Sequence, residues 1–312
     1  MKSVCLAILN YNGIGRLQDL LPTALQAAHN HPGHCAVLVV DNRSTEPDVE
    51  WVKTNFPEVE IVVAPKNDFL FSYNWLAEHR GEDVLIFLNN DLKLHPDFVR
   101  PLVRHFLYAD VFAVSATSRD WCDKIFTCGP ARLKCHHGIY EWDYQRDNQK
   151  LCHTLFTSGG FMAVNRRKFL QLGGFNRLFW PGYAEDLDLC FRAWRKGWRS
   201  IFEPESIVWH RENVSWGNGT NGRAARLMFR GSLLFQWSSL PPAANWLERA
   251  SFVSLTAFRK ILEGQSWWLK IRFKTWLEWQ RIHEDHSELM TSCQELQKIS
   301  TRITQSVPDS RR

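Results

Sequence analysis

Short hydrophobic segments alternate with segments whose apolar positions recur every three or four residues over the first 90 residues of the chain. The hydrophobic segments predict four buried β-strands at residues 4–9, 36–40, 59–63 and 84–88. The periodic segments predict helices at residues 17–28, 49–56 and 74–80. This alternation is typical of an α/β fold whose mostly parallel sheet is covered on both faces by helices.

The second half of the chain divides into regions of different character. Residues 115–157 mix charged, Cys and His residues with little periodicity, which predicts an irregular insertion. Residues 186–196 predict an amphipathic helix that ends at Gly197. After Gly222 the pattern is long, basic and amphipathic, with a break at Pro241 and Pro242. We therefore predict an α/β domain over 1–222, a helical region over 223–299 and a disordered tail over 300–312.

Polar clusters follow three of the predicted strands at the point where each strand ends. They are Asn10-Tyr11-Asn12-Gly13, Asp41-Asn42-Arg43-Ser44 and Asn89-Asn90-Asp91. In open α/β sheets, ligands bind beyond the carboxyl ends of the strands. Gly13 and Gly15 suggest a dinucleotide fingerprint, but Gln18 stands where the third glycine is required, so we reject that interpretation.

Three acidic or metal-ligating positions allow two interpretations each. Asp91 suits a divalent cation that bridges diphosphate oxygens, or a turn. Glu185 and Asp186 suit a general base beside a second carboxylate, or acidic residues favoured by the helix dipole. His210 suits a metal ligand or a hydrogen-bonded histidine at the end of a strand.

Taken in order, these motifs resemble the family 2 glycosyltransferases of the GT-A fold, particularly the bacterial rhamnosyltransferase-like branch. The resemblance covers about residues 3–215 and includes a segment with Gly159 and Gly160 and a Glu-Asp-x-Asp helix that begins at Glu185. In two places the chain departs from the family pattern. Arg43 replaces a usual glycine, and residues 67–74 are bulkier than the family's small-residue stretch.

The resemblance implies a role for each matched position. Asp186 is expected to deprotonate the acceptor hydroxyl, with Glu185 shaping its field or positioning the acceptor. Asp91 and His210 are expected to hold Mg²⁺ or Mn²⁺. The positions expected to contact the nucleotide or the donor sugar are Asn10, Tyr11, Asn12, Asp41, Asn67, Asn89, Asn90 and Gly159.

The implied activity is that of a metal-dependent, inverting glycosyltransferase in the assembly of cell-surface polysaccharide. The implied donor is a UDP- or dTDP-linked sugar, with rhamnose as one candidate, and the implied acceptor is a glycan or lipid-linked glycan. Two alternatives stay open: a sugar nucleotidyltransferase, and a non-catalytic membrane-binding protein on a transferase scaffold. A nucleotidyltransferase normally has a Gly-rich, basic loop after the first strand, which residues 10–15 do not provide.

The net charge of +5 is unevenly distributed along the 312 residues. Residues 1–222 hold 24 Lys/Arg and 25 Asp/Glu, whereas residues 223–312 hold 14 and 8 and six of the 15 Trp. Basic residues among aromatics favour a membrane interface over nucleic acid as the partner of this region. The alternative is that the aromatics pack on the catalytic domain or on a second copy of the chain. The predicted interfacial face is Trp267, Trp268, Ile271, Trp276 and Trp279.

Two further observations set the expected location. No apolar run reaches 18 residues, and the amino-terminal residues show no secretory signal pattern. We therefore predict a cytoplasmic protein, peripheral on the inner face of the cell membrane, that can also oligomerise.

Overall fold

A computed structural model describes residues 1–136, 139–211, 222–240, 259, 267–283 and 291–307. It confirms the predicted α/β class: a nine-stranded mixed sheet is flanked by helices, and a two-stranded hairpin packs beside it. The strands are β1 (Val4–Asn10), β2 (Cys35–Asp41), β3 (Glu60–Val63), β4 (Val84–Asn89), β5 (Leu92–Leu94), β6 (Val111–Asp120), β7 (Ala131–His136), β8 (Ile139–Tyr144), β9 (Cys152–His153), β10 (Phe161–Asn165) and β11 (Arg199–His210).

Helices of very different length connect and cover these strands. They are α1 (Ile14–His29), α2 (Asp48–Asn55), α3 (Ser72–His79), α4 (Val99–Val103), α5 (Arg166–Gln171), α6 (Glu185–Arg195), α7 (Arg223–Ser239), α8 (Trp267–His283) and α9 (Cys293–Thr304). The predicted strands and helices of the first 90 residues are all present, with ends that differ by a few residues.

The strand order places the ends of many strands at one edge of the sheet. The order is β3-β2-β1-β4-β10-β6-β11-β5, with β9 paired to β11. Strands β1 to β4 are mutually parallel where they pair, and β11 is parallel to β6. Strand β10 runs antiparallel to both β4 and β6, so β10 begins at the edge where these neighbours end.

The core lies on both faces of the sheet, which explains why the central strands read as continuous hydrophobic runs. In β1, Leu6 and Ile8 pack on one face with Leu17 and Leu20 of α1. Ala7 belongs to a second cluster on the other face. Each large aliphatic side chain buried in this way contributes roughly 1.5–3 kcal/mol.

The prediction of an irregular insertion over residues 115–157 is wrong. This segment contains most of β6, the β7–β8 hairpin and β9. On the hairpin, Tyr140, Trp142 and Tyr144 recur every second residue and pack against the core. The ring of Trp142 also contacts that of Phe235 on α7 edge-on, with 6.2 Å between centroids. Charged residues on the outward face conceal this period of two in the sequence.

The carboxyl-terminal helices pack on the same core as the sheet. Phe235 of α7 and Leu296, Ile299 and Ile303 of α9 are all buried in the cluster that contains Ala7. The prediction of a disordered tail from residue 300 is therefore wrong for residues 300–304, because Ile303 anchors the last turn of α9. Residues 241–242 and 308–312 lie outside the described part of the chain. Among the described residues, no helix is both long enough and apolar enough to cross a membrane.

Candidate active site

The predicted nucleotide-loop residues meet at the edge of the sheet where β1, β2 and β4 end. In the parallel register, Asn10 lies opposite Asp41. Strand β10 starts at the same edge, where the backbone N–H of Asn89 donates to the carbonyl of Gly160 at 2.8 Å. Segments that are distant in sequence thus lie at one edge of the sheet, where ligands bind in open α/β sheets.

A buried hydrogen-bond network shapes the loop after β1. The Oδ2 atom of Asp48 accepts from Asn10 Nδ2 at 2.6 Å and from the Gly13 N–H at 2.7 Å. Asn10 Oδ1 in turn accepts from Asn90 Nδ2 at 2.8 Å. Both polar groups of Asn10 are therefore engaged by the protein, which gives Asn10 and Asn90 a loop-forming role. Sequence analysis missed Asp48, because an acidic residue in the first turn of α2 is ordinarily explained by the helix dipole.

Gly13 leaves no room for a side chain. A Cβ atom there would collide with Asn10 Oδ1 and Asn90 Nδ2. We expect Gly13→Ala to lower the free energy of unfolding by about 1–3 kcal/mol, as overpacking of a core does. Denaturant unfolding monitored by circular dichroism measures this change. A Gly13→Ala protein as stable as the wild type would contradict the network.

Gly15 provides a matched control two residues away. It lies inside α1, and a Cβ atom there would meet nothing within 4 Å. Gly15→Ala is expected to raise the free energy of unfolding by about 0.5–1 kcal/mol, because alanine costs less conformational entropy in a helix. The two substitutions add the same methyl group and are expected to have opposite signs.

The loop after β1 turns back onto the loop after β2 through Asn12. Asn12 Oδ1 accepts from the Thr45 N–H at 2.8 Å, and the Asn12 N–H donates to Ser44 Oγ at 3.0 Å. Beside them the ring of Tyr11 is 44% exposed. Asp41 is buried, and its Oδ1 atom has no hydrogen-bond partner within the described protein. Leaving such an acceptor unpaired is costly, and Asp41 Oδ1 remains available to accept a hydrogen bond.

The structure shows the contacts made at the two positions where the sequence departs from the family pattern. Arg43 has a φ of 64°, the left-handed region that favours glycine, and its guanidinium donates to the carbonyl of Pro65 at 3.1 and 3.2 Å. In the bulky loop, Leu70 Cδ1 would lie 3.0 Å from a Cβ atom at Gly159. Leu70 therefore narrows the space beside Gly159.

Asp68 connects the loop after β3 to residues 177–180 through hydrogen bonds. Arg177 donates to its two carboxylate oxygens at 2.5 and 3.0 Å, and Trp180 Nε1 donates to Oδ1 at 3.2 Å. Burial raises the pKa of Asp68, but the hydrogen bonds and charge of Arg177 outweigh it and hold that pKa below its ordinary value. Asn67 is exposed, and its Oδ1 accepts from the Phe69 N–H at 3.3 Å.

Asp91 and His210 lie side by side, as a shared metal site requires. His210 ends β11, which pairs antiparallel with β5 directly after Asp91. The distance from His210 Nε2 to Asp91 Oδ1 is 3.4 Å, and Asp91 Oδ1 is buried without a hydrogen-bond partner among the described residues. No cluster of three or more His, Cys, Asp or Glu residues suited to a metal occurs in the described ranges. This pair thus offers one carboxylate oxygen and one imidazole nitrogen.

A turn of two glycines connects this pair to the carboxylates on α6. The Gly159 N–H donates to Asp186 Oδ2 at 3.0 Å. Two residues later, the ring of Phe161 meets the ring of His210 edge-on, with 6.1 Å between centroids. Asn89 lies against Gly160, where a Cβ atom would collide with its amide. Residues 159–161 therefore contact the residues predicted as catalytic base, donor-binding residue and metal ligand, which are Asp186, Asn89 and His210.

Glu185 and Asp186 begin α6 in a buried setting. Asp186 Oδ1 accepts from the Leu187 N–H at 2.8 Å, whereas Glu185 Oε2 has no partner within the described protein. Burial raises the pKa of both carboxyl groups, and the charge of Asp186 raises that of Glu185 further. A carboxylate with a raised pKa is a stronger base once ionised.

Asp188 is part of the same acidic motif but has a structural role. Its carboxylate pairs with Arg192 at 2.8 Å. Arg192 also donates to the carbonyl groups of Leu172 at 2.6 Å and Gly174 at 2.8 Å. The pair therefore fixes the turn that precedes residues 177–184.

The raised pKa of Glu185 predicts how stability depends on pH. A carboxyl group with a raised pKa in the folded state destabilises that state progressively as pH rises above its ordinary pKa of 4.5. We expect Glu185→Gln to remove this penalty, so the variant gains stability relative to the wild type between pH 5 and pH 8. Melting temperatures of both proteins across this range measure the difference. A difference that does not change with pH would contradict the assignment.

Comparison with known proteins identifies the family to which the chain belongs. The model of glycosyl transferase family 2 matches residues 3–173, which is more than half of the chain. The O-antigen biosynthesis protein RfbC of Myxococcus xanthus is 26% identical over 220 residues, covering 63% of this chain and 16% of that protein. The N-acetylglucosaminyl-diphospho-decaprenol L-rhamnosyltransferase of Mycobacterium tuberculosis is 38% identical over 60 residues, 19% of each chain. This chain thus spans a quarter or less of the length of the curated relatives.

Solved structures show the same fold at low sequence identity. GalNAc-T7 with UDP, GalNAc and Mn²⁺ aligns with a TM-score of 0.57 and 14% identity, over 77% of this chain and 48% of that chain. The mannosyltransferase PcManGT from Pyrobaculum calidifontis, in complex with GDP-Man and Mn²⁺, aligns with a TM-score of 0.52 and 14% identity, over 96% of this chain and 79% of that chain. Together with the family match, these likenesses establish that the chain belongs to glycosyl transferase family 2 and has the GT-A fold.

Proposed function

We propose that this protein is a metal-dependent, inverting glycosyltransferase that moves a sugar from a nucleoside diphosphate to a hydroxyl group. The observation that carries the proposal is the turn from Gly159 to Phe161, which contacts Asp186 at one end and His210 at the other. Cα atoms two positions apart are separated by at most about 7 Å. The proposed base and the proposed metal-ligating pair therefore contact the same three-residue segment.

Asp91 and His210 fit a divalent cation. The unpaired, buried Oδ1 of Asp91 is a hard oxygen ligand, and His210 Nε2 lies 3.4 Å from it. Two protein ligands leave coordination positions for diphosphate oxygens. When bound, Mg²⁺ or Mn²⁺ would neutralise the charge that develops on the leaving nucleoside diphosphate. The Mn²⁺ bound to two structurally similar proteins supports this choice.

Asp186 is the proposed general base. Its Oδ2 accepts a hydrogen bond from the Gly159 N–H, which fixes the carboxylate beside the residues that precede β10. Asp186 takes the proton of the acceptor hydroxyl while the acceptor oxygen bonds to the anomeric carbon and the bond from that carbon to the diphosphate breaks. Direct attack opposite the leaving group inverts that carbon. Glu185 is buried beside it, and burial and the charge of Asp186 raise its pKa to about 8, so it is largely protonated at neutral pH and is proposed to position the acceptor.

The nucleoside is proposed to bind beside Tyr11 and Asp41. The exposed ring of Tyr11 offers a stacking face, and Asp41 Oδ1 offers an acceptor for a base N–H or a ribose hydroxyl. Leu70 places an apolar side chain close to Gly159, which suits the methyl group of a 6-deoxy sugar. We therefore propose a UDP- or dTDP-linked donor, with rhamnose as the leading sugar. The names of two bacterial relatives, in O-antigen biosynthesis and rhamnosyl transfer, support a lipid-linked glycan acceptor.

A thermal-shift screen tests the donor assignment directly. The panel is UDP, dTDP and GDP with their sugars, each with Mn²⁺ and with EDTA, and the nucleoside triphosphates. A ligand that binds only the folded state raises the melting temperature, so dTDP-rhamnose or a UDP-sugar with Mn²⁺ is expected to give the largest shift. A response to triphosphates alone, with pyrophosphate released from a sugar phosphate, would identify a nucleotidyltransferase instead.

We also propose that residues 1–222 form the catalytic domain and that the following helical region docks it on a membrane surface. On α8, the outward side chains of Leu269, Phe273, Trp276 and Leu277 are 38–63% exposed and share one helical face. The exposed lysines Lys270 and Lys274 flank this face, which suits an anionic bilayer. The predicted face differs: Trp268 is 8% exposed and stacks on Phe229, while Trp279 packs against Trp237.

Replacement of apolar residues on this face is expected to weaken membrane binding. Phe273→Ser combined with Trp276→Ser removes two of its largest side chains, so co-flotation with vesicles containing phosphatidylglycerol is expected to fall at least tenfold. Leu107→Ser is the control, because Leu107 is 76% exposed elsewhere on the protein. Equal flotation of the wild type and the double variant would contradict this surface.

A further inference from the structure

The backbone that leads into the catalytic carboxylates has an unusual conformation. Tyr183 and Ala184 have φ angles of 72° and 70°, in the left-handed region that residues with a side chain rarely adopt. Glu185 and Asp186 follow at once. Such a conformation persists only where the surroundings hold it. We call residues 177–184 the catalytic loop, and its contacts identify what holds it.

Two consecutive residues of α7 contact the catalytic loop. The Arg230 guanidinium donates through Nη1 to the carbonyl of Trp180 at 3.2 Å and through Nη2 to the carbonyl of Leu178 at 3.3 Å. Gly231 lies so close to Tyr183 that a Cβ atom would collide with the Tyr183 carbonyl group. Helix α7 therefore contacts the loop at three backbone carbonyls within six residues.

Arg230 is itself fixed by the next helix. Its Nε donates to Glu278 Oε2 on α8 at 2.9 Å, with both side chains less than a third exposed. A guanidinium presents its donors in a rigid planar fork, so the ion pair on one side orients the donors on the other. The ion pair therefore makes α8 part of the support for the loop, although α8 does not contact the carboxylates.

The opposite side of the catalytic loop is held by the donor side of the pocket. Asp68 accepts from Arg177 and from Trp180 Nε1, as described above. The side chain of Trp180 is therefore hydrogen-bonded to the loop after β3, and its carbonyl group is hydrogen-bonded to Arg230 of α7.

We propose that Arg230, anchored by Glu278, is a positioning residue that holds the catalytic loop in the conformation that places Asp186 against Gly159. The expected effect on kcat rests on the transferase activity proposed above. The expected effect on the conformation of the loop does not. Helices α7 and α8 then support the active site in addition to the proposed docking on a membrane.

Hydrogen exchange tests the structural half without any assay of activity. The N–H groups of Trp180, Gly182 and Asp188 are hydrogen-bonded to Arg177, Phe179 and Ala184. In Arg230→Ala, peptides covering residues 178–188 are expected to exchange at least tenfold faster, while peptides of β1 and β4 exchange at the wild-type rate. Arg226→Ala, an exposed arginine one turn earlier on α7, is the matched control and is expected to change neither.

Kinetics test the functional half. Arg230→Ala is expected to lower kcat about 10- to 100-fold with little change in the KM for the donor, because a displaced base slows transfer without affecting nucleotide contacts. Arg230→Lys, which keeps one charged donor, is expected to recover part of kcat. Glu278→Gln, which preserves shape at the ion pair, is expected to have the same effects in smaller measure and serves if Arg230→Ala does not fold.

The outcomes separate this proposal from the proposed function. Wild-type exchange in both Arg230→Ala and Glu278→Gln would overturn the positioning role, whatever the activity. Faster exchange in a protein whose wild type transfers no sugar would overturn the proposed function and leave the positioning role supported. Faster exchange with an unchanged kcat would show that Arg230 supports the loop but does not position Asp186, and would also overturn the proposal.

Discussion

Replacement of Asp186 by asparagine is expected to reduce the rate of sugar transfer by about 10²- to 10⁴-fold, the usual contribution of a general base. An amide cannot take the acceptor proton at neutral pH, although it keeps an oxygen that can accept from the Gly159 N–H. Because burial raises the pKa of Asp186, a neutral isostere is not expected to destabilise the fold. Transfer rate, donor affinity and melting temperature measured together distinguish loss of the base from loss of structure.

Glu50→Gln provides the matched control for Asp186→Asn. Glu50 also lies in the first turn of a helix, α2, but its side chain is exposed. This variant is expected to transfer sugar at the wild-type rate. An Asp186→Asn protein that retains near-normal transfer would remove Asp186 from the mechanism and shift attention to Glu185.

Replacement of Asp91 by asparagine is expected to lower transfer by at least about 100-fold, since it removes the charged member of the proposed metal pair. The buried Oδ1 of Asp91 faces His210 Nε2 at 3.4 Å, and an amide is a much weaker ligand than a carboxylate there. EDTA is expected to abolish transfer by the wild type, and added Mn²⁺ to restore it. The variant is expected to regain activity only at much higher Mn²⁺ concentrations.

Metal binding can be measured without turnover. Electron paramagnetic resonance of Mn²⁺ in the presence of UDP is expected to show at least tenfold weaker binding to Asp91→Asn than to the wild type. Asp97→Asn, an exposed aspartate six residues further along, is expected to bind Mn²⁺ normally. Full activity in EDTA, or equal Mn²⁺ affinity in the two variants, would eliminate the metal site at Asp91 and His210.

The elements that could be predicted from the sequence were strands buried on both faces and helices with one regular apolar face. Strands β1, β2 and β4 are hydrophobic throughout because the sheet is covered on both sides, and α6 shows its apolar stripe plainly. The β7–β8 hairpin was missed because only one of its faces packs on the core. Helix α9 was cut short in prediction because Ile303, its last anchoring residue, lies in a polar sequence.

The sequence was sufficient to predict which residue types occur at the candidate site. It was not sufficient to predict which of them hydrogen-bond to one another and which remain available to a ligand. Asn10 and Asn90 stand in a nucleotide-loop motif, yet they hydrogen-bond one another. Asp48 organises that loop from the first turn of α2. Arg230 looked like one more cation of a basic tail. No local pattern distinguishes such residues, because the hydrogen-bond partners lie 35 to 80 positions apart in the loop and about 50 positions apart for Arg230.

The sequence by itself determined the fold class, the family and the order in which the candidate residues occur, because strand hydrophobicity and short motifs are local properties. Only the tertiary structure decided which side chains meet. It placed Asp91 against His210, and Asp186 against Gly159, since β10 and β11 return to the edge where β4 ends. It also showed which side chains of the basic carboxyl-terminal helices pack on the core and which are exposed. The sequence could not decide this, since helical periodicity reveals an apolar face but not the element that packs against it.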